Sequence, residues 1–161
     1  MNLYSLVKVL HILAVTAVIS GVLGRALIRA RLVRLDDIRI VGELVDLEGQ
    51  LDQWLVVHGS TATLLTGLLL TWLGHWPLVN AGLPTWTLVG AVLFLATIPL
   101  VIWVYLPRGK VFRTVFAEAL AQKRVTVELR AAFSDQVIRA SYLYEYIMFP
   151  VVLTLMVIKP F

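Results

Sequence analysis

The sequence has no cysteine, which excludes disulfides, thiolate metal sites and a cysteine nucleophile. It is also poor in charge. Only 15% of its 161 residues are Asp, Glu, Lys or Arg, where a soluble domain carries about 25%. Several chemistries leave no trace. There is no glycine-rich phosphate loop, no metalloprotease helix and no CxxCH haem attachment. No row of buried acids or arginines marks an ion pathway. Four spans also leave little room for a solute path without oligomerisation.

What is present is apolar surface. Hydrophobic residues make up 60% of the chain and the mean hydropathy is +0.87. The length suits a single domain, residues 1–161. A hydrocarbon core about 30 Å thick needs roughly 20 apolar residues in a helix. Four segments meet that need, at about 3–24, 54–73, 86–106 and 140–158. Only an all-α bundle satisfies the backbone across such segments. Met1-Asn2-Leu3-Tyr4-Ser5 lacks the basic start of a cleaved signal, so the first segment reads as a retained span.

Charge orients the spans. Arg25, Arg29, Arg31, Arg34 and Arg39 follow the first, and Arg108, Lys110, Arg113, Lys123, Arg124, Arg130 and Arg139 follow the third. Gly74 to Thr85 carries no Lys or Arg, and only Lys8 and Lys159 remain, near the ends. The positive-inside rule places both long loops in the cytoplasm and both termini outside. The net charge of +4 therefore speaks for lipid headgroups, not nucleic acid, as the partner. The expected location is the inner (plasma) membrane of a bacterium.

Both charged loops read as helical extensions. Asp36-Asp37 marks a helix start, and Ile40, Val41, Leu44, Leu47 and Leu51 recur at helical spacing, so helix two begins near Asp37 and runs on into its span. Phe112, Val115, Phe116, Ala119 and Leu120 form one apolar stripe among basic residues. It suits a helix lying on the membrane surface or one packed on its own bundle. Ser134 is the expected N-cap of helix four. Trp72, Trp76 and Trp86 suit an outer aromatic belt, Trp103 and Tyr105 an inner one.

Ionisable residues inside spans are functional candidates. A rise of about 1.5 Å per residue puts His11 and His58 at heights differing by roughly 10–12 Å, too far apart for one haem iron within one subunit. His58 and Glu145 come out roughly level on the inner side. A pair between them offsets part of the desolvation of both, as structural glue or as a proton-handling pair. His11 borders a small-residue face, Ala14, Ala17, Gly21 and Gly24. There its imidazole suits either a haem iron or a hydrogen bond to a neighbouring helix. Lys8 suits the outer interface. Gly59, Thr63 and Gly67 make a small-residue stripe on helix two. Pro99 and Pro150 interrupt spans three and four.

Leu6-Val7-Lys8-Val9-Leu10-His11-Ile12, Gly21, Gly24-Arg25, Thr66-Gly67-Leu68-Leu69-Leu70, Leu106-Pro107-Arg108-Gly109 and the closing Leu155-Met156-Val157-Ile158-Lys159-Pro160-Phe161 carry a resemblance. They resemble a bacterial family of integral membrane proteins of unknown function, domain-of-unknown-function family 2269. The Lys-x-x-His opening also resembles the HemJ-type protoporphyrinogen oxidases and the membrane part of copper-resistance-D-type proteins. The resemblance implies haem b on His11, with Arg25 as partner for a propionate or an anionic headgroup. The lysine that the oxidase type carries in a later span has no counterpart in span three.

Two functions follow as expectations. One is a small haem-binding membrane protein with a redox role, its second axial ligand drawn from another subunit. The other is a non-enzymatic accessory subunit, packing as a homo-oligomer or in a larger membrane complex through its small-residue faces.

Overall fold

The computed structural model describes residues 2–80 and 83–160. Its frame is four long apolar helices. We number them α1 (Leu3–Leu32), α2 (Ile38–Leu73), α3 (Trp86–Ala121) and α5 (Gln136–Ile158), with a short α4 (Val127–Phe133) before the last. The four-span bundle read from the sequence is thus the observed architecture. α2 and α3 have 36 residues each, or about 54 Å of helix. That exceeds the roughly 30 Å of a hydrocarbon core, and the excess lies at the end that carries the charged loops. The opposite connection is short. It forms a two-stranded antiparallel turn, β1 (Val79–Asn80) with β2 (Leu83–Pro84).

Side-chain caps set the helix starts. Asn2 accepts the Ser5 amide at 2.9 Å, and Asp37 accepts the Arg39 amide at 2.9 Å. The predicted start of helix two near Asp37 therefore holds. Helix four departs from expectation by one residue. Asp135 is its N-cap, accepting from Val137 and Ile138 at 2.8 and 3.2 Å, while Ser134 ends α4. A carboxylate is favoured there because Arg108 also reaches it and because it faces a helix N-terminus.

α1 and α2 pack as an antiparallel pair on small residues. A Cβ at Gly59 would lie 2.8 Å from Val18 Cγ2, and one at Gly21 would lie 2.8 Å from Leu55 Cβ. Only glycine lets the two helices approach this closely. The small-residue faces expected to dock a partner are therefore filled within the chain. α2 carries a π-helical stretch, Asp52–Val57, and α3 another, Val101–Tyr105. In each the amide after the stretch bonds five residues back, His58 to Gln53 and Leu106 to Val101. The second precedes Pro107, which has no amide to offer, while near Pro99 the helix is interrupted at a single turn residue, Ala96.

The extensions have a core of their own. Ile28, Leu32, Ile38, Val41, Ala119, Leu129 and Phe133 are buried together, with Phe112, Val115 and Phe116 packed against them. Of the two readings of the Phe112 stripe, packing on the bundle is the one observed. At the opposite end Trp76 meets Trp86 at 5.1 Å and Tyr4 at 6.2 Å, with the Lys159 ammonium 4.5 Å from the Trp76 ring. Trp72 and Trp103 stay exposed. Tyr105 turns inward instead.

Two outcomes follow. Gly59→Val should cost about 1–3 kcal/mol through overpacking, whereas Gly49→Ala, with open space around it, should gain about 0.5–1 kcal/mol. Thermal unfolding in detergent measures both. The second concerns Asp135. Burial disfavours its charge, but the Ile138 and Val137 amides and the Arg108 guanidinium outweigh this and hold its carboxyl below the usual range. Its ionised form therefore stabilises the fold above the ordinary carboxylate range, and that contribution is lost as pH falls through the depressed value. Asp135→Asn should flatten the acid limb of a stability–pH curve.

Candidate functional site

The buried face of α1 runs through Val7, His11, Ala14, Val18, Gly21 and Arg25. The spacing is three or four residues throughout, so Arg25 falls on the packed face. It is 4% exposed. A guanidinium cannot shed its charge, so it must find acids where it is. It finds two. Nη1 donates to Asp52 Oδ1 of α2 at 3.1 Å, and Nη2 donates to Glu145 Oε2 of α5. The other oxygen of Glu145 accepts the Tyr105 hydroxyl of α3 at 2.8 Å. The Arg25 guanidinium carbon also lies 4.1 Å from the centre of the Tyr142 ring, a cation–π contact. Arg25, its partners and the tyrosine bonded to Glu145 thus draw on all four spans. Arg25 Nε is buried with no acceptor among the described residues.

One turn nearer the charged end the pattern repeats. Arg29 Nε donates to Glu48 Oε1 at 2.5 Å, and its guanidinium carbon lies 4.9 Å from the Tyr142 ring. Arg25 and Arg29 on α1 thus oppose Asp52 and Glu48 on α2, each pair four residues apart on one helix face. At the opposite end of the same seam His11 Nδ1 lies 2.9 Å from Thr66 Oγ1. That hydroxyl donates to the Ala62 carbonyl at 2.6 Å. Its proton is committed, so it accepts from His11 Nδ1–H. The imidazole is thereby fixed in the tautomer whose Nε2 carries the lone pair. A Cβ at Gly67 would sit 3.2 Å from His11 Cε1, so glycine makes room for the ring.

The expected His58–Glu145 pair does not form. Glu145 is taken by Arg25 and Tyr105. His58 faces outward on α2, stacked on Trp54 at 5.1 Å, with Nδ1 on the Gln53 carbonyl. Equal depth does not imply a shared face. Nor do His11 and Arg25 fit one haem. They lie fourteen positions apart on one straight helix, about 21 Å, well beyond the reach from an iron to its own propionates. Of the two, His11 has a nitrogen able to ligate. Lys8 is exposed, as expected of an interface residue.

Asp52, Glu48 and Tyr105 were absent from the sequence reading of the site. The signal for the two acids was their i,i+4 spacing opposite Arg25 and Arg29. Tyr105 offered none, since its neighbour Trp103 is 75% exposed and the pair read alike as belt residues.

Among known proteins, a family model described as a predicted integral membrane protein, DUF2269, matches residues 5–160. No curated protein and no solved structure matches the chain.

Breaking a buried ion pair strands its partner charge and costs about 3–5 kcal/mol. Arg25→Met should lower stability by that order. Arg25→Met combined with Glu145→Leu should regain a large part of it. A double-mutant cycle by thermal unfolding in detergent checks the coupling.

Proposed function

The chain belongs to the DUF2269 family of predicted integral membrane proteins, and we propose that it serves as a non-enzymatic structural subunit, multi-pass in a bacterial inner membrane, within a homo-oligomer or a larger membrane complex. The observation that carries this reading is the closed state of the Arg25 centre. A carboxylate that moves protons or binds a substrate needs an oxygen turned toward water or ligand. Glu145 has both oxygens committed, one to Arg25 and one to Tyr105. Its two partners lie on α1 and α3, and Arg25 reaches on to Asp52 of α2, so the cluster acts as a lock between spans. Buried ionic groups are well attested in that role of fixing register.

A second reading, haem b held through His11, is favoured by one observation. Thr66 fixes the imidazole with Nδ1 protonated, the arrangement by which a neighbouring group orients a metal-ligating histidine. A haem there would supply electron-transfer chemistry, and Arg25 would have no part in holding it.

The optical spectrum separates the two. The structural subunit, produced with ample haem supply and purified in detergent, should show no Soret band. A stoichiometric Soret band that is lost in His11→Ala, in a protein that still unfolds cooperatively, would overturn the structural reading in favour of the haem.

A further inference from the structure

A groove of about 640 Å³ opens sideways between α1 and α5 at the charged end of the bundle. It lies outside the Arg25 centre but shares a wall with it, the ring of Tyr142. Two guanidinium groups stand at it, Arg29 of α1 and Arg139 of α5. They differ in how they are held. Arg29 is fixed by its Nε on Glu48 and by the Tyr142 ring, which leaves both terminal nitrogens as donors. Arg139 is exposed and makes no ion pair among the described residues. Gln136 adds an amide beside them.

The polarity of the groove changes along the helices. Arg29 lies one turn and Arg139 six residues nearer the charged end than Arg25 and Glu145, respectively, or about 6 and 9 Å. The two cations therefore sit at nearly one level. Deeper in, toward the middle of the spans, the walls are Ala26, Leu143 and Tyr146. Leu143 is 58% exposed. A cationic rim above an apolar trough, open to the side, has the order of an amphiphile standing in a leaflet.

We propose that this groove binds an anionic phospholipid, with its phosphate between Arg29 and Arg139 and an acyl chain laid along Ala26, Leu143 and Tyr146. Charge complementarity selects the anionic headgroup, since no acid lines the groove. Basic pockets between spans on the cytoplasmic side are the usual form of such sites, and the distribution of Lys and Arg puts this end there. Forked guanidinium donors suit phosphate oxygens in two-point contact. The proposal is independent of whether the Arg25 centre is structural.

Native mass spectrometry of the full chain tests it. Protein in detergent is titrated with an equimolar mixture of phosphatidylglycerol and phosphatidylcholine of matched chains. One phosphatidylglycerol per chain should be retained in preference to phosphatidylcholine. Arg139→Gln should cut that preference about fivefold, the effect of one basic group at a lipid surface. It removes an exposed side chain with no protein partner, so folding is spared. Arg113→Gln, an exposed arginine on α3 away from the groove, should leave the preference unchanged. Leu143→Trp, which fills the trough, should weaken both lipids without changing their ratio. Millimolar inorganic phosphate should not empty the site. Equal retention of the two lipids overturns the proposal, as does an equal fall in Arg139→Gln and Arg113→Gln. Displacement by free phosphate overturns the lipid as occupant.

Discussion

A guanidinium that cannot lose its proton, placed where water is scarce, must be answered by carboxylates from whatever helices surround it. Arg25 imposes this condition on the whole bundle. Its position on the packed face of α1 is fixed by helical periodicity. From there Asp52 must come from α2 and Glu145 from α5, and the free oxygen of Glu145 draws Tyr105 in from α3. Each of these helices has other places to rest its apolar surface, because lipid is as good a neighbour as leucine. The charges do not have that freedom. In a bilayer the directional polar contacts, not apolar burial, decide which helices meet and at what height.

The α1–α2 seam shows the same logic extended along a pair. From Arg29 opposite Glu48 to His11 opposite Thr66, each step of three or four residues along α1 is matched by an equal step backwards along α2. Ion pairs hold one end, a histidine–threonine hydrogen bond holds the other, and glycines between them set the distance. A slip of one turn would place Arg25 opposite Glu48 or Val56 and lose a counter-charge in either direction. Register is thus encoded twice, by steric fit and by charge.

The spans, the long second helix and its Asp37 cap were legible in the sequence because each rests on local signals: apolar length, spacing and capping chemistry. The site was legible only in part. His11, Arg25, His58 and Glu145 stood out as ionisable groups near spans, yet depth along a helix says nothing about azimuth. His58 and Glu145 agreed in depth and face different ways. Arg25 read as a loop charge because it follows Gly24, where the apolar run stops, although continuing the His11, Ala14, Val18, Gly21 face by one turn lands on it. Tyr105 was beyond reach, since a tyrosine near a span end serves a belt and a buried hydrogen bond equally well.

One helix stands apart. Only 6% of the apolar stretch of α3 is buried, against 33% for α1. Most of its apolar surface faces away from the rest of the chain, so its orientation rests on the few contacts that it keeps with α5. Two polar ties hold it to α5, the Tyr105 hydroxyl on Glu145 and Arg108 on the Asp135 cap. Any movement of α3 against α5 therefore strains the carboxylate shared with Arg25 and the cap of the last helix together, so the least buried span is joined to the lock at both of these points.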